Sequence, residues 1–205
     1  MSQFYTVKPE WLGATAYVIA GGPSVRQQRL GMLAGRRVIV VNSSYEAFPD
    51  ADICFFTDNR WWVDHWKRPG MLAFKGRVFT VCHAAAGERL HRMRRIYPPP
   101  GLADAPDTLA TQRTSLQGAM NLAVHLGVRR IVLLGADMGR APDGTSHHHA
   151  PHKFPNLPGN ESWDLQMAQF RTIVEPLKAR GVDVVNTSPD SRLPWWPKKL
   201  LSEVV

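Results

Sequence analysis

Short apolar runs that end in small polar residues constrain the fold of this chain more than any other feature. Each run is continuous and rich in β-branched or aromatic side chains, which is typical of strands buried on both faces of a parallel sheet. The runs are AYVIA (16–20), RVIVVN (37–42), DICFFTD (52–58), RVFTVC (77–82), RRIVLLGAD (129–137) and VDVVN (182–186). They predict an α/β protein.

Two amphipathic helices are predicted next to the later strands. The segment 115–127 carries apolar residues on one face and ends at Gly127, a common residue just after a helix C-terminus. The segment 162–181 repeats the pattern, with Ser162 as its expected N-cap and Pro176 as an expected kink or break. This alternation predicts a Rossmann-like, open, mostly parallel sheet with helices on both faces.

The length of 205 residues suits a single domain over residues 1–205. Residues 96–112 are rich in proline and predict a long surface connection. Residues 139–160 combine histidines, prolines and glycines without periodicity, which is typical of a lid or binding loop. We refer to 139–160 as the lid loop. Residues 194–205 form a proline-punctuated tail.

Composition restricts the compartment and the partners. No apolar run approaches the roughly 20 residues that cross a bilayer, and the first residues lack a signal-peptide pattern, so a cytoplasmic protein without a membrane partner is expected. Cys54 and Cys82 lie in apolar runs without CxxC spacing and are expected to be reduced thiols. The net charge of +8 fits either a solvated basic surface or a polyanionic partner, nucleic acid or a phosphorylated small molecule. A homo-oligomer stays open.

Small polar residues follow five of the predicted strands. Because the carboxyl ends of parallel strands meet at one edge, where ligands of open α/β sheets bind, these residues predict a ligand site. Each group taken alone is also ordinary turn chemistry. The groups are Gly21–Ser24, Asn42–Ser44, Thr57–Asn59, Gly135–Asp137 and Asn186–Ser188.

The first of these loops, Gly21–Ser24, has the features of a phosphate loop. Its glycines leave room for an anion, and Pro23 suits the first turn of a helix. We therefore expect the N–H groups of Gly22, Ser24 and Val25 to point at a phosphate. The loop lacks both the GxGxxG pattern and a Walker lysine, which argues against NAD binding and P-loop kinase chemistry.

A second anion-binding arrangement is predicted at the start of the helix over 115–127. Thr114 or Ser115 can cap this helix, and Arg113 precedes it. A guanidinium beside a helix N-terminus favours an anion. A helix cap with a solvated arginine is the alternative interpretation.

The lid loop contains four histidines whose imidazoles titrate near neutrality and could deprotonate a hydroxyl. On an extended loop, His147 and His149 are expected on one side and His148 on the other. Clustered imidazoles can also bind a metal, or the loop can simply be solvated. We predict His149, His147 and His152 as candidates for a general base, and no metal site.

The carboxylates near the strands differ in their placement. Asp50–Asp52 has a DxD form, but it precedes a strand and is read as a turn. Asp58 and Asp137 follow strands and are expected to contact a ribose, a metal or a substrate hydroxyl. Ser43 belongs to the same edge and is predicted to help bind a nucleotide.

Four segments together resemble a known superfamily: IAGGPSV, VNSSYEAFPDADICFFTD, RTSLQGAMNLAVHLGVRRIVLLGADM and VVNTSPDSRL. The chain is similar to family 42 bacterial sialyltransferases, to the related domain of flagellin-glycosylating Maf proteins and to MptE-like archaeal 6-hydroxymethylpterin diphosphokinases. The resemblance covers most of residues 16–193, and phage- or prophage-encoded members are closest in length. It implies a nucleotide-dependent transfer reaction.

The resemblance also implies roles for individual residues. Gly21, Gly22 and Ser24 match the loop that holds the donor phosphates, and Asn42 matches an asparagine that contacts the donor. In the sialyltransferases a lid histidine is the general base; here the match is to the region of the lid histidines. The segment that lines the site in the superfamily is matched by Arg113, Thr114 and Ser115.

We expect a glycosyltransferase that takes a nucleotide-activated sugar donor, needs no obligatory cofactor and uses a lid histidine as base. The tyrosines that sialyltransferases place near the leaving phosphate are absent, which argues against sialic acid specificity. The runner-up is a Mg²⁺-dependent diphosphokinase that moves pyrophosphate from ATP. A third alternative is a non-catalytic phage or prophage accessory protein.

Overall fold

The chain folds around a seven-stranded parallel sheet. The computed structural model describes residues 4–97, 101–154 and 163–205. The strands are β1 (Thr15–Ile19), β2 (Arg37–Val41), β3 (Ile53–Phe56), β4 (Arg77–Thr80), β5 (Leu90–Arg92), β6 (Arg94–Ile96), β7 (Thr108–Ala110), β8 (Arg130–Leu134) and β9 (Asp183–Asn186). The sheet order is β5-β4-β3-β2-β1-β8-β9. It contains every strand predicted from the apolar runs, so the expected α/β class is confirmed.

The order of the strands reverses beside β1. From β1 the chain builds outward through β2, β3, β4 and β5, and later adds β8 on the other side of β1. Val18 accordingly pairs with Ile39 of β2 and with Leu133 of β8, both in parallel. Ligands of open α/β sheets bind outside the carboxyl ends of strands at such a reversal. The loops after β1 and β8 therefore flank the expected ligand site.

Four α-helices lie in the described residues: α1 (Asn59–His65), α2 (Pro69–Ala73), α3 (Ser115–His125) and α4 (Trp163–Ala179). The α3 helix begins after its N-cap Thr114, and Gly127, with φ of +89°, follows its end. The α4 helix continues through Pro176, so the chain is not divided there. The predicted N-cap Ser162 lies outside the described residues.

Alternate residues of each central strand enter two different cores. Val18 packs in a core with Phe170 of α4 and with much of α3. Ile19 packs in the other core with Trp61 of α1. Because side chains alternate across a strand, each face of the sheet buries its own set of helices. The prediction of helices on both faces is confirmed.

The segment after β4 contains three short strands that the sequence analysis missed. The β5 strand extends the central sheet, whereas β6 and β7 pair in a separate two-stranded parallel sheet. Leu102 is buried, and the carboxamide of Asn121 accepts the backbone N–H groups of Ala103 and Ala110. The expectation of a surface connection over 96–112 is therefore wrong for its described part, which packs against α3.

The tail over 194–205 packs back on the domain. Trp196 and Leu201 are buried, and the Tyr17 hydroxyl donates to the Val204 carbonyl at 2.8 Å. Lys198 forms a bridge with Asn186 at the end of the edge strand β9. The tail thus covers one edge of the sheet.

Cys54 is buried and Cys82 is half-buried, and both are free thiols. Burial raises the pKa of the Cys54 thiol, which keeps it protonated and unreactive. Within the described ranges, no helix has the length and apolar character needed to cross a membrane.

Candidate active site

A cavity of about 850 Å³ opens at the carboxyl edge of the sheet. The loops after β1, β2, β3 and β8 form its walls together with the start of α3. Ser24 and Ser43 are not part of its lining. The predicted site residues that do line it are Gly21, Gly22, Asn42, Asp58, Arg113, Thr114, Ser115, Asp137, His147, His149 and His152.

The glycine loop after β1 differs from the predicted phosphate cradle. The N–H of Gly22 donates to the Gly135 carbonyl at 2.9 Å, and the N–H of Val25 donates to the Gly22 carbonyl at 3.3 Å. The N–H of Ser24 donates to the Asp137 carboxylate at 3.1 Å. The donors predicted to bind a phosphate are therefore engaged within the protein.

Gly22 is required because another part of the chain lies against it. A Cβ at Gly22 would lie 2.0 Å from the Asp137 carboxylate and 2.4 Å from the Gly135 carbonyl oxygen. Asp137 therefore occupies the position where an anion was expected. Ser24 is tied to the same structure, because its hydroxyl donates to Ser188 Oγ at 2.9 Å.

Asp137 is a buried carboxylate. Burial raises the pKa of Asp137 above its ordinary value, and the hydrogen bonds from Ser24 and Ser188 offset part of that rise. Asp137 lines the cavity and also accepts the Ser24 N–H, and its contact with a ribose or a metal stays a prediction.

The start of α3 is the second predicted anion site. Thr114 Oγ1 accepts the N–H of Leu116 at 3.2 Å, as the capping prediction required. The Ser115 hydroxyl lies 2.7 Å from Thr57 Oγ1 at the end of β3. Arg113, the N-cap Thr114 and Ser115 line the cavity, so the positive end of the α3 dipole faces it.

Two asparagines line the cavity with amide oxygens that have no hydrogen-bond partner among the described residues. They are Asn42 Oδ1 and Asn59 Oδ1, and both atoms are buried. Asn42 also has φ of +51°, an uncommon backbone conformation for a residue other than glycine. Buried acceptors normally have hydrogen-bond partners, so we expect these two oxygens to accept hydrogen bonds from donor groups of a ligand.

Ser43 lies behind the cavity wall. Its hydroxyl accepts from Trp61 Nε1 at 3.0 Å and lies 3.4 Å from His65 Nε2. The other nitrogen of His65 lies 2.9 Å from the Tyr45 hydroxyl, and burial lowers the pKa of His65 to about 4. The Ser43 hydroxyl therefore belongs to a buried polar network, and its contact with a nucleotide stays a prediction.

Asp58 lines the cavity, but its carboxylate is engaged. It caps α1 by accepting the N–H of Arg60 at 2.8 Å, and it pairs with the Arg60 guanidinium at 2.6 Å. Burial alone raises the pKa of Asp58, but the hydrogen bonds and charge of Arg60 outweigh burial, so the pKa lies below its ordinary value.

His148 anchors the lid loop to the end of β1. Its backbone N–H donates to the Gly21 carbonyl at 3.0 Å, and its Nε2 lies 3.0 Å from Ser44 Oγ. Ser44 donates its own proton to the Ala20 carbonyl, so His148 Nε2 must carry the proton of the shared bond. Arg26 donates to the carbonyl of His148 as well. His148 therefore has a structural position.

The neighbouring histidines face the cavity, as alternation along the loop predicted. His149 Nδ1 lies 2.8 Å from the Ala150 carbonyl, which can only accept, so His149 Nε2 is the unprotonated nitrogen of the neutral ring. That Nε2 lies 3.4 Å from the position of a Cβ on Gly21. The ring centroids of His147 and His152 lie 4.9 and 5.0 Å from that of His149.

The lid imidazoles are held in their neutral form. Desolvation lowers the pKa of His147, His149 and His152, and it lowers the pKa of His148 to about 4. Charge on neighbouring imidazoles adds to this effect for His147, His148 and His152. A neutral imidazole at pH 7 can accept a proton.

Several lining residues were not predicted. Thr57 and Asn59 belong to a strand end that was singled out, but neither was chosen. Arg95 lies in β6 and Tyr97 directly follows it, and the sequence analysis missed this strand. Further lining residues are Arg60, Gln112, Arg140, Ser146, Phe154, Trp163 and Gln166.

In the part of the chain that the structure describes, no group of three or more His, Cys, Asp or Glu side chains is arranged to hold a metal ion. The two cavity carboxylates are separately engaged, Asp58 by Arg60 and Asp137 by Ser24.

Solved structures of sialyltransferases and of a Maf glycosyltransferase share this fold. The sialyltransferase CstII from Campylobacter jejuni, in complex with the substrate analogue cytidine-5'-monophosphate, has a TM-score of 0.58 and 13% identity over 91% of this chain and 85% of that chain. The monofunctional α-2,3-sialyltransferase Cst-I from Campylobacter jejuni has a TM-score of 0.57 and 14% identity over 97% of this chain and 84% of that chain.

The Maf glycosyltransferase from Magnetospirillum magneticum AMB-1 has a TM-score of 0.66 and 15% identity over 98% of this chain, which spans only 36% of the Maf chain. No protein-family model and no curated protein sequence matches this chain. The likenesses confirm a Rossmann-like α/β fold of the kind found in sialyltransferases and Maf proteins.

Proposed function

We propose that this protein is a glycosyltransferase that uses a nucleotide-activated sugar donor, with His149 as the general base. One observation carries the proposal: His149, neutral and with an unprotonated Nε2, lines the same cavity as the N-terminus of α3. A base and an anion-binding helix end are the two groups that sugar transfer to a hydroxyl requires.

The donor phosphate is assigned to the start of α3, where Arg113, Thr114 and Ser115 line the cavity. The glycine loop is the weaker candidate because its donors are engaged with Asp137 and Gly135. The fold neighbours support a nucleotide donor, since the CstII structure contains cytidine-5'-monophosphate. The orphan amide oxygens of Asn42 and Asn59 are suited to N–H or O–H groups of the nucleoside or sugar.

In the proposed reaction an acceptor hydroxyl attacks the anomeric carbon of the donor sugar. A new carbon–oxygen bond forms as the bond from that carbon to the phosphate oxygen breaks, and the electron pair leaves with the phosphate. The acceptor proton passes to His149 Nε2. The Arg113 guanidinium and the α3 N-terminus stabilise the negative charge on the leaving phosphate.

The diphosphokinase alternative requires carboxylates that can bind Mg²⁺. Asp58 is paired with Arg60, and Asp137 is buried against the loop after β1. Both would have to give up these contacts before they could bind a cation. The arrangement therefore favours the glycosyltransferase over the diphosphokinase.

The proposal is tested by thermal-shift measurements with CMP, UDP, GDP and ATP, each with and without Mg²⁺. We expect stabilisation by a nucleotide without Mg²⁺, and about tenfold weaker binding by Arg113→Ala, because a charge-assisted phosphate contact is lost. The His149→Ala variant should still bind the nucleotide. Its rate of releasing nucleotide from the sugar donor should fall about 100-fold or more. His83→Ala, on the exposed surface, is the control.

Three results would contradict the proposal. Stabilisation only by ATP with Mg²⁺ would favour the diphosphokinase, and the absence of any shift would favour an accessory binding protein. Full turnover by His149→Ala would remove His149 from the reaction.

A further inference from the structure

Three pairs of an arginine and an aromatic ring line the cavity. In each pair the guanidinium carbon lies over the ring, at a distance short enough for a cation–π interaction. The distances to the ring centroids are 4.7 Å for Arg60 over Phe154, 5.3 Å for Arg95 over Tyr97 and 5.6 Å for Arg140 over Trp163. All six side chains belong to the cavity lining.

The first pair is already used within the protein. The Arg60 charge is matched by Asp58 at 2.6 Å. The Phe154 ring stacks on His152, with ring centroids 5.1 Å apart and planes within 5° of parallel. This pair fixes His152 in the wall, and it offers neither an unmatched charge nor an open ring.

In the other two pairs, no carboxylate of the described residues neutralises the arginine. Arg95 donates to the carbonyls of Thr111 and Gln112, at 2.9 and 3.0 Å. Arg140 donates to the Gly144 carbonyl at 2.9 Å. Carbonyls orient a guanidinium without neutralising it, and neither arginine forms an ion pair with a carboxylate in the described residues. Each of these two arginines can therefore bind an anion from the cavity.

The rings of these two pairs are accessible. Tyr97 is 64% exposed, and its hydroxyl accepts from the side-chain amide of Gln112 at 3.2 Å, which holds the ring in place. Trp163 is half-buried at the start of α4. We name Arg95, Tyr97, Arg140 and Trp163 the arginine–aromatic rim.

We propose that the arginine–aromatic rim binds single-stranded nucleic acid. This inference rests on the proposed function, because the strand would be the acceptor of the transferred sugar. Bases stack on aromatic rings irrespective of sequence, and guanidinium groups bind the phosphates between them. The net charge of +8 adds long-range attraction for a polyanion. A single strand fits better than a duplex, because a base must leave its stack to enter a concave cavity.

Fluorescence anisotropy with a labelled single-stranded DNA of about 12 nucleotides tests the proposal, since sites of this kind span several nucleotides. We expect Tyr97→Ala and Trp163→Ala each to weaken binding about tenfold, because one base loses its stacking partner. Arg140→Gln should reduce the steepness of the salt dependence by about one phosphate contact. A duplex of the same sequence should bind more weakly than the single strand.

Trp66→Ala is the matched control. Trp66 is 43% exposed and lies beside a cation, with Lys67 Nζ 4.5 Å from its ring centroid, but neither residue lines the cavity. Its removal should leave DNA binding unchanged. Because Trp163 packs against the core, the melting temperature of each variant is measured as well, and exposed Tyr97 is the decisive position.

Three results would overturn the rim proposal. The first is that Tyr97→Ala binds DNA as tightly as the parent protein. The second is that Trp66→Ala loses as much DNA binding as Tyr97→Ala. The third is that heparin displaces all of the DNA and that neither ring variant changes DNA binding. Binding of CMP, UDP, GDP and ATP to the parent protein is measured in parallel. Failure of nucleotide binding contradicts the proposed function, whereas failure of the ring variants contradicts only the rim.

Discussion

The two sides of the cavity differ in whether their polar groups are engaged within the protein or face the cavity. On the β1 side, the glycine loop meets the Asp137 carboxylate, and its N–H groups bond within the protein. On the α3 side, the N-terminus and Arg113 face the cavity, and the nearby amide oxygen of Asn42 has no partner in the described residues. One side is closed by the protein's own carboxylate, and the other is open to a ligand.

This difference shows what a glycine-rich loop after a strand does and does not indicate. Glycine permits a close approach to the backbone, but the approaching group can belong to the protein itself. Here the Asp137 carboxylate accepts the N–H of Ser24, one of the donors that were expected to bind a phosphate. The closed side positions His148, whose backbone N–H donates to the Gly21 carbonyl, whereas the proposed function puts the anion on the open side.

The largest effect is expected on the closed side, from Gly22→Ala. The new methyl group would lie 2.0 Å from the Asp137 carboxylate and 2.4 Å from a backbone oxygen, and the backbone cannot move without disturbing β8. We expect a loss of about 3 kcal/mol in the free energy of unfolding. Urea denaturation followed by circular dichroism measures it.

Gly31→Ala is the matched control, because a Cβ at Gly31 meets nothing within 4 Å. It lies in a short 3₁₀ helix, Leu30–Leu33, and should change the stability by no more than about 0.5 kcal/mol. If both variants were equally stable, the loop would have room for a ligand beside Gly22. The contrast between the two sides of the cavity would then be wrong.

The next effect concerns the lid on the closed side and depends on pH. Burial lowers the pKa of His148 to about 4, with charge on His149 and His147 and from Arg26 adding to the shift. The unfolded chain therefore binds more protons than the folded protein between about pH 4 and 6.5, and stability falls as the pH falls through that range. His148 alone should account for about 2 kcal/mol between pH 7 and 5.

The His148→Gln variant isolates this contribution. A glutamine amide can still donate to Ser44 Oγ, but it does not titrate. The parent and the variant should therefore have similar stability at pH 7, and the variant should lose less at pH 5. Parallel losses in urea denaturation at the two pH values would show that His148 is not desolvated by the lid contact.

The sequence predicted the central sheet because six of its strands are continuous, β-branched runs with turn residues after them. It missed β5, β6 and β7, which are three residues each, and two of them, β5 and β6, carry arginines, so neither length nor hydrophobic pattern marks them. Their strand conformation comes from pairing with distant neighbours, such as Leu90 with Val78 of β4. Local patterns cannot report such pairing.

The candidate site was predictable where it depended on strand ends and loop alternation. The strand ends brought Asn42, Asp58 and Asp137 to one cavity, and alternation separated His148 from His149. The engagement of Ser24 by Asp137 was not predictable, because 113 residues separate them in the chain. The sequence showed which residue types stand at each strand end, but it did not show which distant residue each of them would bind.

The smallest effect is expected on the open side, at Asn42. Its φ of +51° suits glycine, and its buried amide oxygen has no partner among the described residues. We expect Asn42→Gly to keep the backbone conformation, whereas Asn42→Ala should be about 1 kcal/mol less stable than Asn42→Gly because a Cβ without a polar side chain disfavours this region. Urea denaturation of the two variants measures the difference.

Nucleotide binding by the same two variants separates the role of the backbone from that of the carboxamide. If the amide oxygen accepts a hydrogen bond from a nucleotide, both variants should bind it more weakly by a similar factor of about five, as one net hydrogen bond is lost. If only Asn42→Ala binds more weakly, the backbone conformation alone matters and the orphan oxygen has no ligand. Unchanged binding by both would place the nucleotide away from β2 and leave the start of α3 as the sole anchor of the open side.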